Sequence, residues 1–76
     1  MNIELSKAFG TVVRERRTQL KLSQEELAHQ AGLHRTYIGM IERGEKNITL
    51  ENIHRISTAL KISISDLFIH LEKSQT

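Results

Sequence analysis

The sequence contains no cysteine and no proline. Without thiols it can form neither disulfides nor the thiolate zinc sites that staple many small domains. The four histidines, at positions 29, 34, 54 and 70, never fall four residues apart, the spacing that sets two imidazoles on one helix face. No metal and no cofactor are therefore expected. No apolar run approaches the roughly 20 residues of a membrane span. The opening Met1-Asn2-Ile3-Glu4-Leu5 lacks the charged-then-apolar layout of a secretion signal. These absences predict a soluble, cytoplasmic protein that does not contact membranes. A dominant charge is missing too: the formal net charge is only +2, so any case for nucleic acid must rest on where the charges fall.

Seventy-six residues leave room for one core, and 1–76 reads as a single domain. A chain this short buries only roughly 60% of its unfolded surface, which leaves a monomer marginal. With disulfides and metals removed, regular helix packing and a partner subunit are the remaining sources of stability.

What is present is helical periodicity. Apolar residues recur at helical spacing throughout, and no four-residue run alternates as a half-buried strand would. The pattern predicts an all-α bundle of five helices. The first spans Glu4 to Leu20, with Leu5, Phe9, Val12, Val13 and Leu20 along one stripe. Ser23-Gln24-Glu25-Glu26 has the form of a capping box and starts a second helix that ends at Ala31, stopped by Gly32. A third begins near His34 and ends at Gly44, where glycine can close it in the left-handed conformation. Thr49 caps a fourth, Leu50 to Leu60, buried through Leu50, Ile53, Ile56 and Leu60. Ser63, with Asp66 three residues on, caps a fifth that carries Ile64, Leu67, Phe68 and Leu71, and residues 73–76 are expected to fray.

Residues 24–43 hold two short helices joined by a tight turn. Ala28 offers the small residue that a steep helix crossing needs, and Gly32 offers positive φ at no steric cost. Leu27, Ala31, Leu33, Ile38 and Ile41 can pin the pair to the rest of the domain. Together these are the residue types of a helix-turn-helix.

The chain resembles the phage Cro/cI and Xre family of DNA-binding domains over nearly its whole length. Leu22-Ser23-Gln24-Glu25-Glu26-Leu27-Ala28 and Tyr37-Ile38-Gly39-Met40-Ile41-Glu42-Arg43-Gly44 carry the likeness most clearly. The stretch from Leu50-Glu51-Asn52-Ile53 through Ser65-Asp66-Leu67-Phe68 resembles the family's last two helices. The resemblance implies a lambda repressor-like fold whose third helix enters the major groove of double-stranded DNA, usually as a homodimer. It also implies an ion pair between Arg17 of the first helix and Glu42 of the third. Two features depart from the family. Lys21 and Lys61 stand where glycine is common, so either each lysine adopts a left-handed helix end or those turns close differently. The third helix offers Arg35, Thr36 and Met40 where the family is often rich in glutamine and asparagine.

At about 100° per residue, Ile38 and Ile41 point one way and Thr36, Met40 and Arg43 the other, with Gly39 at the edge. Arg35 is the first candidate for a base contact, because its planar fork can donate twice to guanine O6 and N7; the alternative is a phosphate contact or a solvated arginine. Thr36 can bond a base edge or touch a thymine methyl. Met40 can meet a thymine methyl or cover the rim of the core. Gly39 either admits DNA too close for a side chain or is incidental. Gln24, His34, Tyr37, Arg43, Lys46 and Asn47 flank the third helix and are candidates for phosphate contacts, which orient a protein without specifying sequence. Arg16 and Glu25 read as solvated surface.

Ile64, Leu67, Phe68 and Leu71 are more apolar surface than so small a core needs and mark a candidate dimer interface. Two-fold pairing there would set two recognition helices about 34 Å apart on a near-palindromic operator. The expected function is a transcriptional regulator, with the small controllers of restriction–modification systems among the family members it resembles. The competing reading is an antitoxin that neutralises a protein partner. No nucleophile with a base, metal set or phosphate-cradling glycine loop suggests an enzyme, and no small-molecule ligand is expected.

Overall fold

A computed structural model describes residues 3–74 of the chain. Five helices follow one another among these residues: α1 (Ile3–Gln19), α2 (Gln24–Ala31), α3 (Arg35–Glu42), α4 (Leu50–Ala59) and α5 (Ile64–Ser74). The expected helices are all present, with ends displaced by a residue or two. The largest change is at α5, where Lys73 and Ser74 are helical rather than frayed; Gln75 and Thr76 lie outside the described residues.

Side chains start α2, α4 and α5, and backbone closes α1 to α4. Ser23 Oγ accepts from the Glu26 amide at 2.9 Å while Glu26 Oε1 accepts from the Ser23 amide at 2.9 Å, the reciprocal capping box read from the sequence. Thr49 Oγ1 accepts from the Asn52 amide, and Ser63 Oγ from the Asp66 amide, each at 3.1 Å. Helices α1 to α4 end alike. The amides of Lys21 and Leu22 donate back to the carbonyls of Thr18 and Arg17, and the same two bonds recur at Gly32–Leu33, Gly44–Glu45 and Lys61–Ile62. This closure needs a left-handed residue. Gly32 and Gly44 supply it with φ of 70° and 73°, and Lys21 and Lys61 adopt it with φ of 59° and 57°. The lysines therefore take the glycine conformation without glycine's freedom.

The core joins all five helices. Phe9, Val12 and Val13 of α1 meet Leu27, Ala28 and Ala31 of α2, Ile38 and Ile41 of α3, Ile53, Ile56 and Ala59 of α4, Leu60 just beyond α4, and Leu67 of α5. Two sequence expectations fail here. Leu50 is 71% exposed: it is the first residue of α4, one turn ahead of Ile53, and it lies outside the core cluster that covers the rest of that face. Leu67 is fully buried within the monomer, so it closes the core and cannot supply a dimer surface. Ile64, Phe68 and Leu71 are only partly covered, and Ile69, on the outer side of α5, is 45% exposed.

Two long-range features place α3. A Cβ on Gly10 would collide with the carbonyl oxygens of Ile41 and Glu42, so glycine permits α1 to approach the carboxyl end of α3. Arg16, expected to be solvated, instead donates from Nε to the Leu60 carbonyl at 3.0 Å and from Nη2 to the Lys61 carbonyl at 3.3 Å. It thereby satisfies carbonyls at the end of α4 that have no partner within the helix.

Candidate nucleic-acid interface

Helix α3 is capped by His34, whose Nδ1 accepts from the Thr36 amide at 3.1 Å. A neutral imidazole that accepts at Nδ1 carries its proton on Nε2, and the ring is exposed. The same ring thus caps α3 and keeps a donor for an outside acceptor. Along α3, Ile38 and Ile41 enter the core, while Arg35 and Thr36 are exposed, Met40 is half-buried, and Arg43, the residue that closes the helix, is exposed.

Gln24, Arg35, Thr36, Gly39 and Arg43 line one shallow recess. The structure therefore gathers four expected DNA-contacting residues into a single polar concavity. Gly39 forms its floor. A Cβ there would lie 3.1 Å from Arg43 Nη1, tighter than ordinary contact, and 3.6 Å from Gln24 Oε1, so the missing side chain gives the Arg43 guanidinium room to lie across the helix beside Gln24. That reason for Gly39 was not visible in sequence.

The recess is held from beneath. Arg17 and Glu42 form a two-pronged ion pair, Nε to Oε2 at 2.6 Å and Nη2 to Oε1 at 3.0 Å, with side chains only 11% and 3% exposed. The hydrogen bond to Glu42 raises the Arg17 pKa above its ordinary value; burial opposes this and the nearby negative charge reinforces it. Arg17 Nη1 also donates to the Leu22 carbonyl at 2.8 Å, which ties α1, the start of the helix-turn-helix and the end of α3 into one unit. Gln24 joins it: Nε2 donates to Glu42 Oε1 at 3.0 Å. Its amide is thus oriented by a buried carboxylate.

The cations at the rim have acidic neighbours. Arg35 Nη1 lies 3.4 Å from Glu25 Oε2, both highly exposed; such a pair is worth about 0–1 kcal/mol, so Arg35 is readily released. Arg43 Nε lies 3.1 Å from Glu45 Oε2. Tyr37 is half-buried, and its hydroxyl accepts from Asn52 Nδ2 at 3.0 Å. Lys46 and Asn47 are exposed in the segment between α3 and α4, outside the recess. Glu25, Glu45 and Asn52 were missed as site neighbours. The separations of Glu25 from Arg35 and of Asn52 from Tyr37 match no local pattern, so only the tertiary fold brings them together.

Comparison with known proteins places this geometry among relatives. Residues 13–67 match the pattern of the helix-turn-helix family. The control protein C.BamHI of Bacillus amyloliquefaciens is 50% identical over 60 residues, covering 78% of this chain and 74% of that protein. The crystal structure of the restriction-modification controller protein C.AhdI from Aeromonas hydrophila superposes with a TM-score of 0.81 at 48% identity, covering 83% of this chain and 96% of the other. A second controller, C.Esp1396I, solved as a tetramer in complex with its natural 35 base-pair operator, gives a TM-score of 0.87 at 33% identity and covers 92% of each chain.

Proposed function

Because this chain belongs to the helix-turn-helix family, we propose that it is a sequence-specific transcriptional regulator that binds a near-palindromic DNA operator as a homodimer, in the manner of a restriction–modification controller. The observation that carries this is the outward face of α3. Arg35, Thr36 and Arg43 surround a polar recess on a helix clamped from behind by the Arg17–Glu42 pair. A short, rigid, cationic rod of this kind suits a groove walled by phosphates.

In this reading Arg35 and Thr36 contact base edges, and Met40, half-buried at the side of the face, meets a thymine methyl. Gln24, His34, Tyr37, Arg43, Lys46 and Asn47 contact phosphates. Ile64, Phe68 and Leu71, partly exposed on α5, pair with the same residues of a second copy. Likeness to the controllers C.BamHI and C.AhdI supports the regulator, and the operator bound to C.Esp1396I supports duplex DNA as the partner. The chain acts by binding, with no catalytic step.

Selection of bound sites from random duplex DNA tests the proposal. The expected product is a near-palindrome whose half-sites lie one helical turn apart. Arg35→Ala should relax one symmetric position at a cost of about 1–3 kcal/mol. Lys46→Ala should weaken all sites alike and flatten the salt dependence by about one unit. Recovery of no preferred sequence would sink the proposal.

A further inference from the structure

We infer that Asn52 is a positioning residue that makes the Tyr37 hydroxyl a dedicated hydrogen-bond donor toward DNA. The inference rests on the DNA-binding reading above and concerns how one of its contacts is set.

Tyr37 lies on the flank of α3, half-buried against the core. Packing fixes its ring. It does not fix the hydroxyl, which can rotate and can either donate or accept. Asn52 removes that choice. Its Nδ2 donates to the phenolic oxygen at 3.0 Å, and an amide nitrogen has no lone pair to accept in return. The hydroxyl proton must therefore point away from Asn52, and in the DNA-binding reading it is offered to a phosphate. A donor in that position complements a phosphate oxygen and is mismatched to the amino groups of cytosine and adenine.

Asn52 is itself well fixed. Its backbone amide donates to Thr49 Oγ1 at 3.1 Å, so it sits in the capped first turn of α4. The Tyr37–Asn52 bond is thus a link between the recognition helix and a rigid neighbour, and it orients a contact group through a second residue. Such an arrangement gains affinity by pre-setting the proton rather than by adding a contact.

The test is a double-mutant cycle on the full chain, read as operator affinity, with helical circular dichroism confirming that each variant folds. Tyr37→Phe should weaken binding roughly 2- to 10-fold, the loss of one ordinary hydrogen bond. The salt dependence should not change, because a neutral hydroxyl releases no counterion. Asn52→Ala should weaken binding by a similar or smaller factor, and the double variant should bind no worse than Tyr37→Phe alone. Losses that multiply would show Asn52 acting on the DNA or on the fold independently, and would overturn the inference. So would an Asn52→Ala variant as tight as the parent, or a Tyr37→Phe variant with undiminished affinity.

A spectroscopic readout separates positioning from a structural role. Tyr37 is the chain's single tyrosine and there is no tryptophan, so the near-ultraviolet tyrosine band reports this hydroxyl alone. Asn52→Asp replaces the donor with an acceptor of the same shape. The phenol should then donate to the carboxylate, and its band should move to longer wavelength in the DNA-free protein. An unmoved band would overturn the inference even with operator binding intact. A parent protein with no preference for any duplex would instead remove the DNA-binding reading, and the inference with it.

Discussion

Arg17 grips Glu42 through two parallel hydrogen bonds, and the same carboxylate oxygen that accepts from Arg17 Nη2 also accepts from Gln24 Nε2. One buried glutamate therefore fixes the end of the recognition helix and a residue of its recess together. Glu42→Ala would leave the Arg17 charge buried without its partner. That should cost about 3–5 kcal/mol, read as a lowered midpoint in denaturant unfolding. Whatever fraction still folds should select the same DNA sequence as the parent. A changed sequence preference at undiminished stability would refute this assignment.

Gly39→Ala should separate stability from binding. Alanine is favoured over glycine inside a helix by about 1 kcal/mol, and the new Cβ meets only the flexible end of Arg43 and the Gln24 amide. The melting temperature should rise, by some 4–8 °C for each kcal/mol in a domain of this size. Operator affinity should fall, because the recess loses its floor and Arg43 must shift. Affinity equal to the parent's would mean that the recess does not face DNA.

Lys21 and Lys61 hold φ of 59° and 57° in helix-closing positions, a conformation that costs a side-chain-bearing residue roughly 1–2 kcal/mol. Lys21→Gly and Lys61→Gly should each stabilise the fold by up to about 1 kcal/mol, the remainder being offset by glycine's greater freedom in the unfolded chain. Thermal melts of the two single variants check this. A lower melting temperature in both would contradict the common closure.

The capping box carries a pH signature. Hydrogen bonds from the Ser23 backbone amide and side chain hold the Glu26 pKa below its ordinary value. A carboxylate with a depressed folded pKa contributes stability above its unfolded value, about 4.3, and loses it as pH falls through the lower folded value. The stability gap between the parent and Glu26→Gln should accordingly be full at neutral pH and shrink in acid, measured by denaturant unfolding on both sides of that window. A gap that widens in acid would exclude the mechanism.

On α5, burial divides residues that look equivalent in sequence. Leu67 is fully buried and Phe68 only partly. Leu67→Ala should cost about 2–5 kcal/mol of stability. Phe68→Ala should act chiefly on assembly, with sedimentation equilibrium showing a shift from dimer toward a folded monomer. If Phe68→Ala leaves the assembly unchanged, the pairing surface lies elsewhere.

The five helices were legible in sequence because capping and periodicity are local. Ser23 with Glu26, Thr49 with Asn52 and Ser63 with Asp66 each act across three residues, and apolar spacing marks the buried stripes of α2 and α3. The outward character of Arg35 and Thr36 follows from the same helical arithmetic. Leu50 and Leu67 escaped that arithmetic, since a stripe names the apolar residues and does not say which of them finds a neighbour.

What only the tertiary structure decided is how distant groups meet: Gly10 against the end of α3, Arg16 on the carbonyls closing α4, Gln24 on Glu42, and Asn52 on Tyr37. The physical reason is reach. A cap or a stripe is written within one or two helical turns, where residue spacing fixes geometry. A polar bond between helices depends instead on how the helices cross, and that is set by the packing of the whole core.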